Sequence, residues 1–315
     1  MRAYIARRLL HSIPLLLLIS LLIFALIHAV PGGPLEMFLA NPNVRPEDIE
    51  RLRVALGLDR PLGVQYLSWL KGFVTGEWGY SFTDGRPVAE RLLERLPATI
   101  ELILSAIVVA GLVAFPLGIV GAVRRRGWVD RATTVVSFAG ISLPVFWFGL
   151  LLQLLFAVSL GWLPSSGRTS FGDASLAGRL SHLILPAIVL ATVHAAAWSR
   201  FLRSSMATAM KEHFVTAARA RGIGTRAIVW RHGLRNALLP IITVTAMDAA
   251  IMVSGAVVTE SVFAWPGLGS LFVESLARRD YTVMMAFLMI AATAVVLLNL
   301  VADVLCRALD PRIAS

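Results

Sequence analysis

The stretch Val283–Ala302, VMMAFLMIAATAVVLLNLVA, decides the fold class because it carries no charged residue. A helix of about 20 apolar residues crosses the hydrocarbon core of a bilayer, which is roughly 30 Å thick. Of the 315 residues in the whole chain, 57% are hydrophobic and only 15% are charged, against about 25% charged in an ordinary soluble domain. The sequence lacks the short alternating segments of a membrane barrel. It therefore predicts an all-α polytopic membrane protein.

Hydropathy predicts six transmembrane helices. An even number of spans places both termini on the same side of the membrane. More than half of the 29 lysines and arginines fall in segments that would share that side, which predicts cytoplasmic termini. This topology also explains the net charge of +10, so we expect membrane lipid and not nucleic acid as a partner. The expected spans are Leu9–Val30, Ala98–Val123, Thr133–Leu160, Leu183–Leu202, Ala237–Thr259 and Val283–Leu305.

The spans divide the chain into four parts. We predict a cytoplasmic N-terminus with the first helix at 1–30, an extracytoplasmic loop domain at 31–97, a five-helix core at 98–306 and a cytoplasmic tail at 307–315. In the loop domain, short helices are expected at Glu47–Leu56, around Tyr66 and Trp69 at the membrane interface, and after Pro87. Two roles remain open for it: a structural cap, or contact with a delivered substrate or its carrier protein.

The polar loop 203–236 lies between the fourth and fifth predicted spans. Ser204 or Ser205 could cap a helix that ends at Gly222, the residue type that most easily takes a left-handed conformation. Thr225 could cap a second helix leading into the fifth span. The side chains predicted to share one face of the first helix, at a spacing of about four, are Met206, Met210, Phe214 and Ala217 or Ala218.

The segment Thr216–Gly222, TAARARG, resembles the Glu-Ala-Ala, then Gly signature of importer permeases. Thr216 stands where that signature has glutamate, and Leu239-Pro240 lies farther from Gly222 than in the generic pattern. Both departures are similar to the peptide/nickel-type branch of the ABC importer permeases, specifically its subunit with a long outer loop after the first helix. Further landmarks in the expected order are Pro31–Pro34, Leu56–Asp59, Gln65-Tyr66, Gly79–Ser81, Arg95–Thr99, Arg231-His232, Arg235–Ala237, Glu260–Gly269, Arg279-Asp280 and Asp310–Arg312.

The resemblance implies a type I ABC importer permease fold with a cytoplasmic coupling helix, in the inner membrane of a prokaryote. It also implies a second related permease in a heterodimer, two ATPase subunits and an extracytoplasmic binding protein. The substrate would be a peptide or a related small solute. A competing interpretation is that the loop only packs onto the protein's own inner face. The residues expected to dock onto the ATPase are Met210, Phe214, Thr216, Ala217, Ala218, Arg221 and Gly222.

The chain lacks the motif for hydrolysing ATP. Neither of its lysines, Lys71 and Lys211, follows a glycine as a phosphate-binding loop requires. ATP and Mg²⁺ are thus expected on partner ATPases, and no cofactor, metal or catalytic residue is predicted for this chain. The rival classes are a secondary transporter or channel, and a membrane enzyme. The polar loop has no role in the first, and no inverted repeat is visible; the second lacks a catalytic constellation.

Polar residues within spans are costly and mark functional sites by default. We predict that Asp248, Gln153 and His194 line the translocation path, with structural hydrogen bonding between helices as the alternative for each. Glu101, near the end of a span, is expected to be solvated. We interpret the segment ESVFAWPGLG as a tight turn at the outer face. It either gates the translocation path or only braces the structure around it. Its candidate residues are Glu260, Phe263, Trp265, Pro266, Gly267 and Gly269.

Overall fold

The computed structural model describes residues 2–29, 35, 45–55, 57–123, 127–173 and 175–309. The predicted landmarks Pro31–Pro34 and Asp310–Arg312 lie outside these residues. Helices form the framework of the described chain. The longer α-helices are α1 (Arg2–Ala29), α2 (Pro46–Ala55), α3 (Leu62–Thr75), α4 (Val88–Val123), α5 (Trp128–Ser142), α6 (Val145–Leu152), α7 (Leu176–Ala209), α8 (His213–Ala220), α9 (Leu234–Val262), α10 (Leu268–Ala277) and α11 (Tyr281–Leu309). A π-helix, Gln153–Ser159, extends α6, and a short helical turn, Thr225–Ala227, with a π-helix, Ile228–Gly233, leads into α9.

Within the described residues, 5 helices are long and apolar enough to cross a membrane, and a bent pair, Arg131–Ser142 with Val145–Ser159, makes a sixth if it is one span. The predicted third span is thus broken, at Leu143. Leu143 adopts an extended conformation because the ring of Pro144 disfavours a helical residue before it. The helix predicted to start after Pro87 is continuous with the second span, since α4 runs through Pro97 without interruption.

Contacts divide the chain into two compact units, and the first comprises 98–266 and 297–315. Its core is centred on α7, where Trp198, Leu202 and Met206 are buried. Small residues allow the neighbouring helix to approach closely, and a Cβ at Gly118 would lie only 2.9 Å from the Leu202 side chain. The buried face of α4 accordingly carries Ala98, Leu102, Ala106, Ala110 and Ala114 at a spacing of about four residues.

The second unit comprises 2–97 and 267–296. Tyr66 and Trp69 of α3 pack onto Phe24 of α1, with ring centroids 5.5 and 6.0 Å away. The Tyr66 hydroxyl is also hydrogen-bonded to Ser20 at 2.9 Å. Both rings therefore stabilise the contact between α1 and α3, and their expected position at the level of the lipid headgroups stays a prediction. The predicted boundary at 97/98 coincides with the limit of the unit, although α1 and 267–296 group with the outer-loop residues.

Candidate docking loop and polar sites

The polar loop begins later than the sequence pattern predicts. α7 continues to Ala209, and the chain turns at 210–212 before α8 starts at His213. The predicted helix cap at Ser204 or Ser205 is wrong. Alanine and methionine favour continuation of the helix, and the Thr208 hydroxyl donates to the Ser204 carbonyl inside it.

Gly222 ends α8 in the predicted left-handed conformation, with φ +74. The Gly222 N–H donates to the carbonyl of Arg219 at 2.9 Å, and the Ile223 N–H donates to that of Ala218 at 3.2 Å. This pair of bonds is the Schellman arrangement, which satisfies the last carbonyls of a helix. A Cβ at Gly222 would meet nothing within 4 Å, so the backbone conformation alone favours glycine there.

One side of α8 is anchored in the protein. Val215 and Ala218 are buried together with Ile228, which lies beyond Gly222 in the same loop. Successive residues of a helix are about 100° apart, so the positions opposite these anchors can be placed. The outermost side chains are those of His213, Thr216, Ala217 and Ala220, all exposed.

The predicted docking residues therefore separate into two groups. Ala218 is only 5% exposed, and Met210 packs under the loop, where its sulfur would lie 3.0 Å from a Cβ on Gly233. These two serve the protein's own packing. The sequence analysis did not select His213 and Ala220, because it placed Met206 to Ala218 on one face of a single helix. In the structure this segment belongs to two helices, α7 and α8. The predicted residues that are exposed are Phe214, Thr216, Ala217, Arg221 and Gly222.

Asp248 joins two helices of the first unit. Its Oδ2 accepts a hydrogen bond of 2.6 Å from Trp198 Nε1 and lies 3.7 Å from His194 Nδ1. The structure thus brings together two of the three residues predicted to line the path. The helix-to-helix hydrogen bond expected as the alternative is present. The Asp248 side chain nevertheless remains 19% exposed.

Gln153 lies elsewhere. Its side-chain amide donates to the carbonyls of Ser165 at 2.7 Å and Val262 at 3.1 Å. Val262 is 14 residues beyond Asp248 on α9, which corresponds to about 20 Å along a helix. Gln153 therefore ties the end of α9 to a loop and does not join the Asp248 site.

The predicted outer turn is held by buried contacts. Glu260 has 0% exposure and accepts a 2.6 Å hydrogen bond from Thr99. Trp265, also buried, donates through Nε1 to the carbonyl of Ala98 at 2.8 Å, and the Phe263 carbonyl accepts from Gly167 at 2.9 Å. These contacts brace the turn. After Pro266 the chain enters α10, which follows Gly267 and buries Gly269.

Glu101 is not simply solvated, as the sequence led us to expect. Its carboxylate forms hydrogen-bonded ion pairs with Arg168 at 2.5 Å and with Arg179 at 2.6 Å. Such charge-assisted bonds are stronger than those between neutral groups. The partners are 67 and 78 residues away in sequence, and no local pattern could indicate them.

A second polar network explains two of the sequence landmarks. The Ser81 hydroxyl donates to Asp280 Oδ2 at 2.5 Å, and the Arg91 guanidinium lies 3.4 Å from the same oxygen. Thr282 donates to the other carboxylate oxygen at 2.9 Å. The motifs Gly79–Ser81 and Arg279-Asp280 therefore meet within the second unit.

Comparison with known families decides the chain's identity. Residues 114–315 match the family described as "Binding-protein-dependent transport system inner membrane component". Residues 1–103 match its N-terminal companion, "Binding-prot-dependent transport system membrane comp, N-term". The chain belongs to this family of inner-membrane transport components. It is accordingly a multi-pass permease, and the competing class of secondary transporters and channels is not favoured.

Curated members of the family match almost the whole permease. It is 42% identical over 315 residues to the oligopeptide transport system permease protein AppB of Bacillus subtilis (strain 168), with 99% of each chain covered. It is 39% identical to the di/tripeptide transport system permease protein DppB of Pseudomonas aeruginosa (strain UCBPP-PA14), again over 99% of each. Identity to the glutathione transport system permease protein GsiC of Escherichia coli (strain K12) is 38%, over 98% of each.

A solved structure shows that the permease fold is a known one. A chain from inward-facing conformations of the MetNI methionine ABC transporter superposes with a TM-score of 0.59. The match covers 71% of this permease and 99% of that chain, at 18% sequence identity. It supports the predicted ABC importer permease fold.

Proposed function

We propose that this permease forms half of the transmembrane path of an ATP-driven peptide importer and that α8 docks onto a separate ATPase subunit. The names of the three relatives concern oligopeptides, di- and tripeptides, and glutathione, which is itself a tripeptide. They support a peptide as the substrate class. The observation that carries the docking proposal is the anchoring of α8 through Val215 and Ala218, with its opposite face exposed.

The exposed face of α8 suits a close protein contact. Thr216, Ala217 and Ala220 are small, so a partner's surface can approach the helix backbone. Phe214 stands at the side of this face with its ring centroid 6.5 Å from that of His232, and it can fill a partner's pocket, as aromatic anchors do at interfaces. ATP and Mg²⁺ would be bound by the partner, because this chain has no phosphate-binding loop.

The remaining partners follow from the same proposal. A single permease with six spans supplies half of a path, so a second, related permease would supply the other half. An extracytoplasmic binding protein would deliver the peptide. Cytoplasmic termini would place α8 on the side where ATP is available, in agreement with the arginine-rich segments that flank it.

We also propose that Asp248 lines the peptide path. Trp198 and His194 both approach its Oδ2. No described residue is hydrogen-bonded to Oδ1, so this oxygen is available to a ligand. A carboxylate inside a membrane protein is retained at a cost in free energy and normally serves a pathway. The amino-terminal ammonium group of a peptide has the charge and the donors to bind it.

The docking proposal is tested by enlarging one residue on the exposed face of α8. Ala217→Trp should abolish co-purification of the ATPase and uptake of peptide, because the indole separates the two surfaces. Ala277→Trp, also at an exposed alanine but at the end of α10, is the matched control and should retain both. Normal ATPase binding by the Ala217→Trp protein, with the variant correctly inserted, would overturn the proposal.

A further inference from the structure

A basic pocket of about 380 Å³ opens between α5 and the end of α7 that leads to α8. Three cations line it, namely Arg200, Arg203 and Lys211, and none of its described lining residues carries a carboxylate. Ligand pockets commonly have volumes of about 300 Å³ or more. The pocket therefore has the size and the sign of charge to hold an anionic group.

Two of the three cations are held in place. The Arg203 guanidinium donates to the Thr134 hydroxyl at 2.7 Å, and its stem crosses Gly121, where a Cβ would lie 3.1 Å from Arg203 Cδ. Arg200 lies over the ring of Phe138, 4.7 Å from the centroid. Within the described chain, no carboxylate pairs with Arg200 or Lys211, so their charges remain to be balanced.

The other polar groups of the pocket are hydroxyls. Thr134, Ser204 and Thr208 contribute them to the lining, and a hydrogen bond of 3.0 Å between Ser137 and Ser199 joins α5 to α7 beside it. Guanidinium, ammonium and hydroxyl groups are the donors that phosphate oxygens accept from. The chemistry of the lining thus favours a phosphate group.

Apolar side chains flank the pocket along α5. Val135 is 66% exposed, Phe138 52% and Ile141 40%. In a membrane-spanning protein, such a surface contacts acyl chains. A basic pocket between helices at one end of a span is a known site for anionic lipid headgroups. A soluble protein's carboxylate would satisfy the cations but leave the apolar flank unexplained.

We propose that this pocket binds the phosphate of an anionic phospholipid from the leaflet on the side of α8, with its acyl chains along Val135, Phe138 and Ile141. The bound lipid would connect α5 to the last turns of α7, directly before α8. This inference requires only that the chain spans a membrane. It does not depend on the identity of the transported solute or on the docking of an ATPase.

Native mass spectrometry of the purified full chain, titrated with phosphatidylglycerol or phosphatidylcholine, tests the proposal. Arg200→Gln with Lys211→Gln should weaken phosphatidylglycerol binding roughly 25-fold, at about fivefold per cation, and leave phosphatidylcholine binding unchanged. Arg203 is kept because it bonds Thr134. The matched control is Arg231→Gln with Arg235→Gln, which removes the same charge from exposed positions outside the pocket and should change binding less than twofold.

The proposal is overturned if the wild-type chain shows no preference for phosphatidylglycerol, or if both double variants lose it equally. Displacement of the lipid by soluble glycerol phosphate at equal concentration would mean that the pocket binds a free anion. Unchanged phosphatidylglycerol binding by the Arg200/Lys211 double variant would also overturn the proposal, because these cations would then have no role in holding the lipid. If the Arg200/Lys211 double variant does not fold, the two single variants should each show the fivefold loss.

Discussion

At the scale of single residues, Asp280 shows how this chain tolerates a buried charge. Its side chain has 0% exposure, and an isolated carboxylate in such a place would cost several kcal/mol. Ser81 and Thr282 donate hydrogen bonds to it, and the Arg91 guanidinium lies 3.4 Å away. Removing either Asp280 or Arg91 leaves the charge of the other one buried without its partner.

We therefore expect Asp280→Ala to lower the free energy of unfolding by about 3 kcal/mol. The control is Glu274→Ala, which breaks an ion pair with Arg278 that is 36% and 56% exposed and should cost less than about 1 kcal/mol. Thermal unfolding of the purified chain in detergent compares the two. Equal losses of stability in the two variants would show that the buried Arg91–Asp280 pair stabilises the fold no more than the exposed pair does.

Asp248 has either a structural role or a role in transport, and the two can be separated. Asp248→Asn keeps an oxygen that accepts from Trp198 but removes the charge. If Asp248 binds the ammonium group of a peptide, this variant should reduce uptake of peptides with a free amino terminus about tenfold, the effect of losing roughly 1.4 kcal/mol. Uptake of amino-acetylated peptides should not fall.

Trp198→Phe is the control for the structural role, because it removes the hydrogen bond to Asp248 and leaves the carboxylate charged. Trp198→Phe should lower the uptake of peptides with a free amino terminus and of amino-acetylated peptides by the same factor. If Asp248→Asn also lowers the uptake of both peptides by the same factor, the carboxylate only joins α7 to α9.

At the scale of elements, α8 is determined by its ends and by its buried side. Gly222 has φ +74, a conformation that asparagine and aspartate accept more readily than other residues with a side chain. Its N–H donates to the carbonyl of Arg219, and the next residue, Ile223, donates to that of Ala218, which closes the last turn. The C-terminus of a helix carries a partial negative charge, so a carboxylate placed there is unfavourable.

This contrast gives a matched pair of variants. Gly222→Asn should retain ATPase coupling, because a Cβ at this position meets nothing within 4 Å and the asparagine side chain is uncharged. Gly222→Asp has the same shape but adds a negative charge at the helix end, and we expect it to abolish coupling while membrane insertion is unchanged. Substrate-stimulated ATP hydrolysis is the measurement, and equal activity of the two variants would contradict the prediction.

The sequence predicted that this loop contains a helix ending at Gly222, but it did not predict where that helix begins. Gly222 was predictable because left-handed termination depends on one residue type. The continuation of α7 through Ser204 and Ser205 was not, because a serine can either cap a helix or lie inside one. The inward orientation of Ala218 depends on Ile228, which lies beyond the turn. Helix-face periodicity is informative only once the first residue of the helix is known.

At the scale of the whole molecule, hydropathy predicted six spans, which agree with the 5 long apolar helices and the bent pair of the described residues. Motifs distributed along the entire chain predicted the family. The polar contacts were not predictable in the same way. Glu101 meets Arg168 and Arg179, and Asp280 meets Ser81, across 67 to 199 residues of sequence. A single sequence carries no signal for such pairs.

The predicted topology places α8 and α10 on opposite sides of the membrane. In a Cys306→Ser background, which removes the chain's only cysteine, single cysteines can be introduced by Ala217→Cys and Ala277→Cys, both at exposed positions. A membrane-impermeant maleimide added to intact cells should label position 277 and not position 217. The reverse pattern would place the termini outside.

The most direct test of the account is a photo-cross-linker attached to the cysteine at position 217 in cells that also produce the partner ATPase. Because Ala217 is on the outermost face of α8, we predict an adduct of this permease with the ATPase, and no such adduct from position 277. Absence of the adduct at position 217, in cells that still import peptide, would contradict the claim that α8 is where the ATPase binds.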